Sequence, residues 1–109
     1  MKLIKCIIRP NKVDDVREAL EKASVAGMTI TEVRGHGRQK GHKAVYRGRE
    51  YDVSLLPKTM IEMAVSDDIV EEVIGVVLKT ARTGDIGDGR IWVLSIEEGY
   101  NIRTAARDT

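Results

Sequence analysis

Phenylalanine is absent from this chain, cysteine occurs once, proline twice, and the aromatic residues are one tryptophan and three tyrosines. A single cysteine rules out an intrachain disulfide framework and cysteine-rich metal spacing, which fits a reducing, cytosolic setting. Cys6, inside a strand-like run, reads as a small buried core side chain. The apolar run after Met1 and Lys2 is broken by Arg9 and Pro10, too soon for a signal-peptide core or for a membrane span of about 20 residues. A soluble protein is expected. An excess of either charge is also missing: 18 Lys and Arg stand against 17 Asp and Glu, a net charge of +1. That balance speaks against a dedicated nucleic-acid binder and a polybasic membrane module. Catalytic signatures are missing as well, with no HExxH, no nucleophile elbow, no GxxxxGK[ST] and no carboxylate pair with an evident acid partner.

What is present suffices for one domain, residues 1–109, burying roughly two thirds of its unfolded surface. Leu3 to Arg9 alternates Ile4, Cys6 and Ile8 with Lys5, Ile7 and Arg9, a strand with one face wholly apolar. Asn11 is placed to cap an amphipathic helix in which Val13, Val16, Leu20 and Ala23 recur opposite Arg17, Glu18, Glu21 and Lys22, with a stop near Gly27. Met28 to Arg34 and Thr59 to Val65 read as the next two strands. Ser66, Asp67 and Asp68 signal the start of a second helix, apolar at Ile69, Val70, Val73, Ile74, Val77 and Ala81. Ile91 to Ile96 is a fourth strand before a polar tail. Asp14-Asp15-Val16 and Asp67-Asp68-Ile69 match as helix starts, which suggests two βαβ halves built alike.

The order βαββαβ specifies a ferredoxin-like α+β sandwich: an antiparallel four-stranded sheet, two helices on one face, and a long loop between strands 2 and 3. Its other face, with Ile7 and the Met60, Glu62, Ala64 and Trp92, Leu94, Ile96 sets, carries more apolar surface than a monomer leaves in water. That face is expected to pack against identical subunits in a closed ring.

The segment Gly35 to Lys58 reads as a long irregular loop with six Lys/Arg against two acids, +4 in all, leaving −3 for the remaining chain. A compact domain rarely keeps such a loop without using it, and its charge points to an anionic partner. Gly35-x-Gly37 and Gly84-Asp-Ile-Gly87-Asp-Gly89-Arg90 can each turn backbone N–H groups inward around a phosphate, or simply make tight turns. Arg38, Lys40, Arg90 and Arg103 add cations to the first possibility. His36 and His42 are too few for a metal site and read as solvated imidazoles that help recognise anions. Tyr51, among Arg47, Arg49, Glu50 and Asp52, is either a binding anchor or a modification target.

Gly27 to His42 (GMTITEVRGHGRQKGH), YRGREY from Tyr46, LPK from Leu56, TARTGDIGDGRIWV from Thr80 and IRT from Ile102 together resemble the P-II signal-transduction family over nearly the whole chain. The resemblance implies a homotrimer with ATP/ADP sites in clefts between subunits. There the T-loop (37–55), a phosphate-binding loop (82–90) and a C-terminal segment (98–109) meet. Ile7, Thr29, Glu62 and Ala64 would line the adenine pocket. Gly35, Gly37, Arg38 and Gln39 would approach the phosphates from one subunit, with Gly87, Asp88, Gly89, Arg90 and Arg103 coming from its neighbour. It further implies 2-oxoglutarate sensing with Mg-ATP. Gln39 would complete the Mg²⁺ shell, backbone N–H groups around Gln39, Lys40 and Gly41 would receive one carboxylate, and Lys58 would pair with the other.

Tyr51 matches the family's uridylylation position, so a uridylyltransferase is an implied partner, beside an ammonium channel or nitrogen-assimilation enzymes reached through the T-loop. No nucleic acid is implied, a membrane is met only through a protein partner, and the location is cytoplasmic. Serine phosphorylation two residues earlier is excluded by Arg49. Asn101 stands where many relatives have arginine, and Ala105 where glycine is common. The expected class is a non-enzymatic regulator; the alternatives are a P-II-like sensor of another small anion or nucleotide, or a slow ATPase.

Overall fold

The computed structural model describes residues 1–36, 43–46, 49–52 and 55–109, with 43–46 and 49–52 described by backbone alone. Strands β1 (Lys2–Ile8), β2 (Thr29–Gly35), β5 (Leu56–Val65) and β6 (Gly89–Ser95) form one antiparallel sheet in the order β2-β5-β1-β6. Helices α1 (Val13–Lys22) and α2 (Val70–Ala81) join the strands in a βαββαβ order. The ferredoxin-like expectation holds.

Alternation in β1 does what its sequence dictates. Ile4, Cys6 and Ile8 are buried under the helices beside Ile61, Met63 and Val65 of β5, and Val16, Leu20, Val73 and Val77 close the core from above. Burial pushes the Cys6 thiol up to about 11, which leaves it an inert packing group. The opposite sheet face carries Ile7, Met60, Glu62 and Ala64, with Trp92 47% and Leu94 44% exposed, so the apolar surface expected there is present and uncovered in the single chain. No helix among the described residues is long and apolar enough to cross a membrane.

Two local expectations need correction, and the helix start at Ser66 holds without a side-chain cap. Asn11 does not cap α1, because it lies inside a 3-10 turn, Pro10–Lys12, that precedes the helix, and no side chain caps that turn. Ser66 likewise offers its carbonyl, not its hydroxyl, to the turn Asp67–Ile69, while Asp67 faces the Met1 amine at 3.0 Å. The two halves are alike, but not where the paired aspartates match. The repeat runs at an offset that equates Val13-Asp14-Asp15-Val16 with Val70-Glu71-Glu72-Val73 at the starts of the two helices.

The stop of α1 comes at Ser24, not at Gly27. Ser24 has φ +69, its N–H donates to the Glu21 carbonyl, and the Val25 N–H donates to the Leu20 carbonyl at 3.1 Å. This is a Schellman ending whose apolar contact joins Val25 to Leu20 in the core. A side chain at positive φ is strained there, so Ser24→Gly is expected to raise stability by about 0.5–1 kcal/mol, after glycine's own entropy in the unfolded chain is counted. A urea midpoint unchanged or lowered by the substitution would refute it.

The long loop is not irregular throughout. Backbone strands β3 (Lys43–Tyr46) and β4 (Arg49–Asp52) pair antiparallel, Ala44 opposite Tyr51. Val45, Tyr46 and Tyr51 favour strands, but the charged residues between them masked the alternation that would have shown it.

Candidate functional site

One end of the main sheet collects the charged residues that matter. There β1 finishes at Ile8 and leads into Arg9, β5 brings Lys58 near its start, β2 ends at Gly35, and the turn before β6 presents Thr83 to Asp88. Gly35, paired with Leu56, is a diagonal neighbour of Lys58, so close that an added Cβ would meet the lysine Cγ at 3.3 Å. Lys58 then stretches to the turn and donates from Nζ to the Gly87 carbonyl at 2.6 Å. Burial and next the Arg9 charge lower the Lys58 pKa, with Asp88 acting the other way.

Asp88 organises the turn around its own carboxylate. Oδ2 accepts the Thr83 and Gly84 N–H groups, each at 2.8 Å, and Oδ1 accepts the Thr83 hydroxyl and Arg9 Nε, the latter at 3.0 Å. The Thr83 hydroxyl, helped by these N–H groups and Arg9, holds the Asp88 carboxyl well below the usual range despite the opposing cost of burial. Arg9 also donates from Nη2 to the Ile86 carbonyl at 3.1 Å. Asp88 therefore spends its carboxylate inside the protein, and what it can offer a phosphate is its backbone N–H. Gly87 and Gly89, at φ +105 and +109, bend the chain into this shape.

Of the adenine-pocket expectations, Ile7, Thr29, Glu62 and Ala64 all lie on the open sheet face. Thr29 is opposite Glu62, Ile7 opposite both Met60 and Arg90, and Ala64 one step along β5 on the same face as Glu62. Glu62 is 3.9 Å from Lys5. Arg90 lies over the Trp92 ring, 5.8 Å from its centre. Arg103 is exposed in the C-terminal segment. Gly37, Arg38, Gln39, Lys40 and Gly41 fall outside the described residues, as does the side chain of Tyr51, whose backbone sits in β4. A cleft of about 400 Å³ opens beside Lys58, lined also by Pro10, Glu32, Arg34 and Thr59; a second, of about 500 Å³, runs past Asp88, Gly89 and Arg90 toward the end of α2.

The C-terminal segment folds on itself through Tyr100 and Arg107, and Asn101 Oδ1 accepts the Thr104 N–H at 3.1 Å. Asparagine at 101 thus gains a turn-forming role, and Ala105 adopts φ +58 in the same turn. The sequence reading gave no role to Arg9, whose only signal was a basic residue closing an apolar strand, nor to the Thr83 hydroxyl, although Thr83 lies in the glycine-rich run.

An α+β sandwich that gathers a glycine-rich turn, two cations and an internal carboxylate at one sheet end is a ferredoxin-like domain with a candidate site at that end. Comparison with known proteins defines it further. The family described as Nitrogen regulatory protein P-II matches residues 1–106. The chain is 53% identical over 108 residues, 99% of its length and 96% of theirs, to Nitrogen regulatory protein P-II of Klebsiella oxytoca and to Nitrogen regulatory protein P-II 1 of Escherichia coli K12. It is 50% identical over 109 residues, 100% of its length and 97% of the other, to Nitrogen regulatory protein P-II of Rhizobium etli. The chain belongs to the P-II family.

Proposed function

We propose that this protein is a trimeric, non-enzymatic regulator of nitrogen metabolism that binds ATP or ADP, and 2-oxoglutarate in the Mg-ATP state, and acts on target proteins through its T-loop. The observation that carries the reading is the meeting of Lys58, Arg9 and the glycine-rich turn at one sheet end. Family membership and the uncovered apolar face support the trimer, with that face turned to the other subunits. Lys58 would receive the distal carboxylate of 2-oxoglutarate, while Gln39 and bound ATP would hold Mg²⁺, an ion that favours oxygen ligands and retains little protein around it. Bound Mg²⁺ would supply the charge that draws phosphates and 2-oxo acid together.

Because Gln39 and Lys58 lie at opposite ends of the loop, ligands that differ in their hold on the two ends bias it toward different conformations and so toward different partners. An ammonium channel or a nitrogen-assimilation enzyme fits this docking, and Tyr51 is the candidate for uridylylation. The site is cytoplasmic in this reading. Calorimetry tests it: ATP binds alone, whereas 2-oxoglutarate binds only with Mg-ATP present, and Lys58→Ala weakens 2-oxoglutarate about a hundredfold, more than it weakens ATP. Binding of 2-oxoglutarate without nucleotide, or no binding at all, would remove the sensing role.

A further inference from the structure

Two successive carbonyls in the turn, those of Ile86 and Gly87, are held by cations from other strands: Ile86 by Arg9 Nη2 and Gly87 by Lys58 Nζ. A planar trans peptide points its N–H away from its C=O. The N–H groups belonging to these two peptides are those of Gly87 and Asp88, and they face away from the cations. Among the described residues neither makes a close hydrogen bond, the Asp88 N–H being turned only loosely toward the Asp85 carbonyl across the Ile86–Gly87 turn, whereas the Thr83 and Gly84 N–H groups are already taken by the Asp88 carboxylate. Consecutive N–H groups without a close partner, in a turn with positive φ at Gly87, make an anion-binding concavity. Arg9 is fixed in turn by Asp88, so its reach to Ile86 is set by the fold and not by chance rotation.

We infer that Arg9 and Lys58 are positioning residues for phosphate binding: by gripping the Ile86 and Gly87 carbonyls from one side, they aim the Gly87 and Asp88 N–H groups at a nucleotide phosphate on the other. This rests on the nucleotide reading above and assigns Arg9 a part in it without contact to the ligand. A peptide held in place loses no rotational freedom when the anion arrives, so the benefit falls on phosphate contacts alone. The base and ribose, bound elsewhere on the open sheet face, are untouched by it.

The test compares ATP with adenosine, which lacks the phosphates, by calorimetry without 2-oxoglutarate. Arg9→Met and Lys58→Met keep much of the side-chain bulk and lose the donors. Each is expected to weaken ATP about tenfold while leaving adenosine within about twofold, and Arg9→Lys, which retains one donor, should recover part of the ATP loss. Equal losses for ATP and adenosine would show a merely structural role, and unchanged ATP binding in both variants would overturn the inference directly. Those results differ from failure of the nucleotide reading itself, in which the unsubstituted protein binds no ATP and the inference falls with it.

Discussion

Gly89→Ala is expected to leave little folded protein at ordinary temperatures. Gly89 opens β6 with φ +109, and a Cβ there would lie 1.7 Å from the Ile7 carbonyl oxygen and 2.7 Å from the Ile7 carbonyl carbon. These are backbone atoms of the central strand β1, hydrogen-bonded on both sides, so neither can step aside as a flexible side chain would. Relief requires β6 to part from β1 at its first register pair, Gly89 with Ile8, and to drag the Asp88 turn with it. Steric overlap added to backbone strain places the cost at about 3–5 kcal/mol or more, a large share of the total stability of a small domain. Gly84→Ala is the control. It shares a positive φ, +95, but nothing lies within 4 Å of the added carbon, so only strain remains, about 1–2 kcal/mol. Urea denaturation of the two variants beside the parent should separate them clearly; equal losses would show that contact with Ile7 does not matter.

The same glycine shows what a sequence can and cannot reveal. Its place in a GDGR run pointed to phosphate, whereas its closest constraint is a packing contact with a strand more than 80 positions earlier, which no local pattern encodes. Elements governed by local periodicity were legible: β1 from its alternation, and α1 and α2 from apolar residues at three- and four-residue steps. The sequence reading ended the loop at Lys58 and began the strand at Thr59, although proline inside a strand calls for an open edge. Yet β5 begins at Leu56, since its first residues pair only with β2 and β1 joins at Thr59; Pro57 therefore sits where one flank is open. The site divides in the same way. Its glycines and Lys58 stand out as composition, while the grip of Arg9 on Asp88 and Ile86 depends on tertiary contacts across nearly the whole chain.

Asp88→Asn is the second large effect expected, and it has a pH signature. Each Asp88 oxygen accepts from two donors: Oδ2 from the Thr83 and Gly84 N–H groups, Oδ1 from the Thr83 hydroxyl and Arg9. Asparagine keeps the shape but turns one oxygen into a donor, so whichever way the amide lies, one pair of donors faces a third. Arg9 also loses its counter-charge. The expected loss is about 2–3 kcal/mol at neutral pH, the scale of charge-assisted hydrogen bonds at a partly buried site. Folding lowers the Asp88 pKa, so the unfolded chain binds this proton more readily than the native protein. The carboxylate's stabilisation is thus complete above the unfolded value of about 4 and fades as pH falls through it toward the lower folded value. Asparagine does not titrate. Urea denaturation of both proteins from neutral to acidic pH should therefore show a gap that is widest at pH ~7 and narrows below pH ~4. A gap that stayed constant into acid would mean that the charge of Asp88, as distinct from its shape, does not hold the turn.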